Sequence, residues 1–463
     1  MAKFKPISSP YLLKSQNLLN KRRGMYRFAP SPTGDIHIGN LRAALINFVL
    51  SLKDKSGFFL RIEDTDEARN VSGATEQIEE ILRAFGVQWS AFYRQSDNFG
   101  RHKEFAHKLV EEGKAFYCFC SPQELEAKKC ACIERGEAYK YDGACEKIPP
   151  KEAQKRAQNG EEFVIRLKIP ADFKFDFDDL IKGHIAFEAE AFGSFVLLRA
   201  NGLPTYNFAC AVDDALEGTT CVVRGEDHTS NTPRQLLIRA VLGFNKKISF
   251  AHLPIILGVD GKKMSKRDAS SSVKSLLARG FLPEAVANYL LLLGNKTPCE
   301  VFTLSEAAEW FELKNISRSP AKFDEEKLAQ INREHIRRAS NKRLAELGLT
   351  RAELARFYTQ ESSFVNEIGR KIELIFSPKN AELLQEWQSE ADAICNAVAK
   401  MSEFPQEFSE FKETLTSQTA LKGKPLFAPL RLLMTGTSKG PELKDLYPLV
   451  REELREIIKK EQK

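Results

Sequence analysis

The chain has 463 residues, 43% of them hydrophobic and 29% charged, with a formal net charge of +6. This is the composition of a globular protein of roughly three to four domains. It excludes a spanning helix: the apolar run Tyr289–Leu293 ends after five residues, against the ~18 a membrane segment needs. No charged start leads into an apolar stretch and a small-residue cleavage site, so the expected location is the cytoplasm.

Residues 1–24 contain Lys3, Lys5, Lys14, Lys21, Arg22 and Arg23 and no acid, so residues 25–463 sum to zero. This basic extension reads either as an arm that touches RNA or as a mobile tail ahead of a start at Met25. Tyr26–Ala29 then reads as a short strand running into Pro30-Ser31-Pro32-Thr33-Gly34, a turn that cannot be helical. From Gly39 to Leu52, Leu41, Leu45, Phe48, Val49 and Leu52 recur at helical spacing. Phe58–Ile62 is the next buried strand, and Ile78, Ile81, Leu82 and Phe85 mark a second amphipathic helix. Strand, turn, helix, strand and helix in that order predict half of a parallel α/β nucleotide-binding sheet.

Residues 94–204 break this pattern with mixed, charged and cysteine-containing sequence, in which Val164–Lys168 and Phe195–Leu198 read as strands. We read the segment as an insertion. Strands are expected again at Tyr206–Val212 and Cys221–Arg224, completing the sheet. The α/β domain therefore comprises 25–93 and 205–255, a connecting region covers 256–320, and 321–463 reads as helical, with helices expected at Ser340–Leu349 and Leu446–Lys460.

Nine cysteines, an odd number with no secretory signal, do not suggest a disulfide framework. Five of them, Cys118, Cys120, Cys130, Cys132 and Cys145, fall within 28 residues inside the insertion. Two further motifs carry chemistry. His37-Ile38-Gly39-Asn40 sits where a strand turns into a helix, and helix N-termini attract phosphate through unpaired N–H groups. There a histidine can donate to growing phosphate charge, and a glycine lets a flat base lie against the backbone. Asp260-Gly261-Lys262 followed by Lys263-Met264-Ser265-Lys266-Arg267 is a basic, glycine-containing loop suited to charge developing on a leaving pyrophosphate.

Six blocks now stand in order: Arg27–Gly34, His37–Asn40, Arg61-Ile62-Glu63-Asp64-Thr65-Asp66, Pro204–Phe208, Arg224-Gly225-Glu226-Asp227-His228 and Lys263–Arg267. Together they resemble the class I glutamyl-tRNA synthetases along nearly the whole chain from Tyr26. The resemblance implies a Rossmann-like α/β catalytic domain and an inserted α+β domain at 94–204 for the tRNA acceptor stem. It also implies a stem-contact region at 256–320 and an all-α anticodon-binding domain at 321–463. It further implies that Arg27 and Arg224 pair with the carboxylates of L-glutamate, that Glu63 faces its ammonium, and that Ser31 and Tyr206 complete the pocket. His37, Gly39, Asn40, Asp227, Met264 and Lys266 would hold ATP with Mg²⁺, and His37, Lys263 and Lys266 would act on the transition state. Members of the family usually need bound tRNA before forming the adenylate, and the resemblance suggests a monomer.

Many family members hold Zn²⁺ in the insertion through three cysteines and a histidine. Here Cys118, Cys120 and Cys145 stand in those places, but Lys147 occupies the histidine position. Tyr141, Cys130 or Cys132 could complete the set, or the knuckle could be metal-free. The stretches Gly34–Ala44, Asn207–Ala211 and Pro429–Gly436 most resemble a second glutamyl synthetase paralogue that charges tRNA-Gln with glutamate for a downstream amidotransferase. Rival readings are a tRNA-Glu-specific or non-discriminating enzyme, a catalytically inactive tRNA-binding protein, a ligase for modified tRNA nucleosides, and a glutaminyl synthetase.

Overall fold

A computed structural model of the chain describes residues 25–188, 192–264 and 272–459. The expectations for residues 1–24 and for Ser265, Lys266 and Arg267 lie outside the described residues. The described chain falls into two compact units, one of residues up to 273 with 290–323, the other of 274–289 with 324–463.

In the first unit, β1 (Met25–Phe28), β2 (Gly57–Ile62) and β3 (Ala91–Arg94) form a parallel sheet with β2 in the centre. All six residues of β2 are buried, as expected of a parallel strand covered on both faces. Helix α1 (Ile38–Lys53) follows the β1 turn and buries Leu41, Ala44, Leu45, Ile46 and Val49. Its buried Arg42 donates to the carbonyls of Pro254 and Leu293, tying the helix to two later crossings of the chain.

Residues 94–204 contribute to two sheets. Strands β4 (Ala115–Cys118), β5 (Val164–Leu167) and, later, β8 (Phe195–Leu198) form an antiparallel sheet in the order β4-β5-β8. Between them, β6 (Asp176–Asp179) and β7 (Gly183–Ala186) form a hairpin, and β6 pairs with a strand from beyond this segment instead. That strand is β10 (Ser249–Leu253), which lies parallel to β9 (Cys221–Gly225), giving the order β7-β6-β10-β9. The N–H of Thr220, just before β9, donates to the Met25 carbonyl at 3.1 Å, so β9 runs beside β1. The C-terminal ends of β1, β2 and β9 thus open on one crevice, where open α/β sheets bind ligands.

One expected strand is a helix. Tyr206–Val212 lies in α2 (Tyr206–Leu216), with Phe208 through Asp214 buried. A short, continuously apolar run has the same pattern in a buried helix and a buried strand, and here Pro204 and the extended Thr205 lead into the helical turn. After β10, β11 (Ile256–Leu257) pairs with β12 (Ala321–Lys322).

The second unit contains helices and, among the described residues, no strand. Its core includes Phe411 stacked on Tyr447 at 4.8 Å, and the Tyr447 hydroxyl donates to the Pro405 carbonyl. The Ser340–Leu349 expectation is met by a helix at Asn341–Glu346. The Leu446–Lys460 helix is instead divided into Leu443–Val450 and Leu454–Ile457 by a 3₁₀ turn at Arg451–Glu453. No described helix is long and apolar enough to cross a membrane.

Candidate active site

A cavity of about 390 Å³ opens at the crevice, and it collects nearly every residue the motifs singled out. Arg27, Ser31, His37, Gly39, Asn40, Glu63, Tyr206, Arg224, Asp227, Lys263 and Met264 all line it; Lys266 lies outside the described residues.

At one end, His37 is the N-cap of α1. Its Nδ1 accepts from the N–H groups of Gly39 (3.0 Å) and Asn40 (3.4 Å). Acceptance at Nδ1 puts the neutral ring's proton on Nε2, leaving a donor suited to an anion. A Cβ on Gly39 would lie 2.9 Å from His37 Cε1. The capping histidine ring thus occupies the space that a side chain at position 39 would enter. Across the cavity, β11 turns through Gly258–Lys262, where Gly261 takes φ +76 and its N–H donates to the Gly258 carbonyl. Lys263 bridges back to Leu257 and sets its ammonium 3.8 Å from Asp227 Oδ2, both largely exposed. Ser272 pairs with His37, so the chain beyond the undescribed segment returns beside the histidine.

The other end is built from buried charge. Arg27 gives Nε and Nη2 to Asp214, at 3.0 and 3.3 Å. Asp214 also meets Arg61 Nη1 (2.9 Å), and Arg61 contacts Glu217 (2.7 Å) and, through Nη2, Glu63 Oε1 (3.3 Å). Arg61 is completely buried, so its charge requires these partners. Burial works against ionisation of Asp214, but Arg27 and Arg61 hold its carboxyl well below the usual range. Glu217 goes the other way: burial, with Asp213 and Asp214 nearby, pushes it up to about 8 despite Arg61. Glu63 Oε1 also accepts from the Cys210 thiol at 3.0 Å, and Oε2 has no partner among the described residues.

Arg224 is treated differently. It is 6% exposed, and its partners are all neutral. Nε donates to His252 Nε2, Nη1 to Gln235 Oε1, and Nη2 to both the His228 carbonyl and Thr232 Oγ1. Among the described residues no carboxylate lies within ion-pair distance of it. Beside it, the Tyr206 hydroxyl lies 3.0 Å from His228 Nδ1. Burial and the Arg224 charge push His228 down to about 4, so the imidazole is neutral near pH 7 and its Nδ1 can accept a hydrogen bond from the Tyr206 hydroxyl.

Of the network residues, Arg61 and His228 stand in the six blocks without an assigned role, and Asp214, Glu217 and His252 were not singled out from the sequence. A signal existed for three. An arginine inside the buried run Gly57–Ile62, and an aspartate and a glutamate ending the apolar run of α2, are charges that must be paired.

The cysteine group lies elsewhere, beside β4. The Sγ atoms of Cys118, Cys120 and Cys145 all lie within 4.8 Å of one another. The Tyr141 hydroxyl is 3.4 Å from Cys118 Sγ and 3.6 Å from Cys120 Sγ, while Cys120 and Cys145 are 3.5 Å apart. Ligands at ~2.3 Å around a tetrahedral zinc stand about 3.8 Å apart, so three thiols and the phenol fit such an ion. Cys130 and Cys132, on the helix Pro122–Glu134, are not in the group. Burial pushes the Tyr141 phenol well up, which favours its neutral form.

Residues 25–330 match the family described as tRNA synthetases class I (E and Q), catalytic domain, and the chain belongs to that family. It is thus an aminoacyl-tRNA synthetase of class I. Its relatives narrow the class. Glutamate–tRNA ligase 1 of Campylobacter fetus subsp. fetus (strain 82-40) is 57% identical over 436 residues, covering 94% of this chain and all of that protein. Glutamate–tRNA ligase 1 of a Nitratiruptor species is 52% identical over 437 residues with the same coverage. The crystal structure of a glutamate tRNA ligase from Elizabethkingia meningosepticum CCUG26117 in complex with its amino acid is similar at a TM-score of 0.80 and 26% identity. It covers 94% of this chain and 98% of that one.

Proposed function

We propose that the chain is a glutamate–tRNA ligase whose cavity activates L-glutamate with ATP and passes it to the 3′ end of a tRNA. The observation that carries this is Arg224, a buried guanidinium with only neutral partners facing a small-molecule cavity. A buried cation without a counter-ion is costly, and a substrate carboxylate supplies one. In this reading Arg27 offers Nη1 to a second carboxylate, Glu63 takes the ammonium through Oε2, and Ser31 and Tyr206 close the pocket. The α-carboxylate oxygen attacks the α-phosphorus of ATP and pyrophosphate leaves. A ribose hydroxyl of the terminal adenosine then attacks the acyl carbon and AMP leaves.

The protein supplies position and electrostatics rather than a nucleophile. His37 donates from Nε2 to the phosphate oxygens, Gly39 and Asn40 shape the nucleotide end with Asp227 and Met264, and Lys263 with Lys266 neutralises the departing pyrophosphate. Mg²⁺ bound to the triphosphate would add to that neutralisation. Cys118, Cys120, Cys145 and Tyr141 would hold Zn²⁺ in the acceptor-stem insertion. Metal analysis of the purified protein and of Cys120→Ser tests this: zinc near one per chain, lost in the variant, is expected.

The tRNA partner we infer is tRNA-Gln, supported by the likeness of Gly34–Ala44, Asn207–Ala211 and Pro429–Gly436 to the paralogue that serves an amidotransferase. The enzyme would act as a cytoplasmic monomer. Charging of tRNA-Glu and tRNA-Gln with glutamate, side by side, tests both levels. Charging of neither defeats the ligase reading; efficient charging of tRNA-Glu alone defeats only the choice of tRNA.

A further inference from the structure

Arg224 can present its charge to a substrate only if its own orientation is fixed. One of its bonds depends on where a buried imidazole carries its proton. His252 is completely buried, and its Nε2 accepts from Arg224 Nε at 3.2 Å and lies 3.1 Å from Thr232 Oγ1. Thr232 Oγ1 in turn accepts from Arg224 Nη2 at 2.7 Å, so its hydroxyl proton is free to go to His252. The Arg224 contact requires Nε2 to be unprotonated, which for a neutral imidazole means a proton on Nδ1, and the Thr232 contact is compatible with it.

Asp179 sets that tautomer. Its Oδ2 accepts from His252 Nδ1 at 2.7 Å and from the His252 backbone N–H at 3.0 Å. Its Oδ1 accepts from the N–H groups of Ile181 and Lys182, at 2.9 and 2.8 Å. Four donors converge on a fully buried carboxylate, a demand that an ionised acid meets and an amide cannot. Burial opposes its ionisation, yet those donors hold its carboxyl below the ordinary value. Burial, together with the Arg224 guanidinium on the other side, keeps His252 from taking a second proton.

Asp179 belongs to the β6–β7 hairpin, which lies within the sequence insertion. The same turn supplies Lys182, whose ammonium pairs with Glu226, and Glu226 Oε1 accepts from the Ile255 N–H at 2.9 Å. The hairpin therefore braces the cavity wall on both sides of Gly225.

We propose that Asp179 is a positioning residue for glutamate recognition, acting through the tautomer of His252 to hold the Arg224 guanidinium against the substrate carboxylate. This rests on the reading of Arg224 as the carboxylate-binding group. In Asp179→Asn, the amide keeps an oxygen on the Ile181 and Lys182 N–H groups and turns its NH₂ toward His252 Nδ1. The ring then protonates on Nε2, and a donor faces the Arg224 Nε–H. His252→Gln is the conservative counterpart, because its carbonyl can accept from Arg224 while its NH₂ donates to Asp179. His252→Leu can do neither.

The test is steady-state ATP–pyrophosphate exchange with tRNA present, in wild type, Asp179→Asn, His252→Gln and His252→Leu, with thermal unfolding run on each. The expected result is a KM for glutamate raised ~10–100-fold in Asp179→Asn and His252→Leu, the worth of a hydrogen bond to a charged group. The KM for ATP and kcat should stay within about threefold, and His252→Gln should remain near wild type. An unchanged glutamate KM in folded Asp179→Asn and His252→Leu overturns the proposal, as does a fall in kcat that tracks the unfolding midpoint in all three variants. If wild type shows no glutamate-dependent exchange, the ligase reading fails and this proposal falls with it. A glutamate-dependent wild type with indifferent variants removes the positioning role alone.

Discussion

Two arginines face the same cavity from neighbouring strands, nearly equally buried, and their surroundings are opposite. Arg27 on β1 is anchored by a carboxylate and belongs to a buried network running through Asp214 and Arg61 to the carboxyl groups of Glu217 and Glu63. Arg224 on β9 is held by an amide oxygen, a hydroxyl, a carbonyl and an imidazole. With Glu217 protonated near neutral pH, the two cations of the first cluster balance Asp214 and Glu63, and the cluster sums to zero. Of the two arginines proposed to hold glutamate, Arg224 is the one with no carboxylate within ion-pair distance among the described residues. L-glutamate carries two carboxylates and one ammonium, a net charge of −1, whereas glutamine is neutral. Both arginines face the cavity as candidate ligands; Arg27 is at the same time part of a charged scaffold, whereas Arg224 brings a charge that its own partners do not balance.

The largest expected effect follows from removing that charge. Arg224→Gln should lower kcat/KM for glutamate by ~10³-fold or more while the KM for ATP changes little. Arg224→Lys should not recover it, because a point ammonium cannot bridge Gln235, Thr232 and His252 at once. Glutamate-dependent charging measures both, and a lysine variant within about tenfold of wild type would contradict the role of the neutral cage.

On the Arg27 side the same kind of change should register first as stability. Asp214→Asn leaves Arg27 and Arg61 short of a buried counter-charge. Breaking one partner out of a buried ionic group costs ~3–5 kcal/mol, measurable by urea unfolding. Arg224→Gln should cost clearly less, since its neutral neighbours can rearrange without stranding a charge. Equal losses for the two variants would erase the distinction between scaffold and ligand.

Much of this arrangement was legible in the sequence, for reasons that also mark where legibility ended. The β1 turn, α1 and β2 were readable because prolines, a glycine and helical periodicity act within a few residues of one another. The cavity lining was readable because six blocks in order resemble one family, and the resemblance carries the site residues within those blocks. Asp179 was not: it lies 73 residues from His252, in a segment read as an insertion, and only the pairing of β6 with β10 brings them together. The contact between Gly39 and the His37 ring was not readable, because the ring occupies that space only once the cap has formed. Tyr206–Val212 was misread because a helix buried all around has no polar face to betray its period.

The smallest effect tests the charge count itself, through Glu217. Its Oε1 is buried without a hydrogen-bond partner among the described residues, and burial lifts its pKa from an ordinary ~4.3 to about 8. Between those values the unfolded chain gives up a proton that the folded chain keeps. Stability from this group is therefore intact below pH ~4 and declines as pH rises toward 8, by at most ~1.4 kcal/mol per pH unit. Glu217→Gln carries the neutral group at every pH, so its unfolding free energy should lack this slope and exceed the wild-type value near pH 8. The same proton affects binding. Above pH ~8, ionised Glu217 leaves the Arg27 cluster at −1 beside a substrate that is already anionic, and the KM for glutamate should climb in wild type but stay flat in Glu217→Gln. Parallel stability slopes and parallel KM profiles for the two proteins would mean that Glu217 is ionised throughout, and that Arg224 offsets its charge before glutamate arrives.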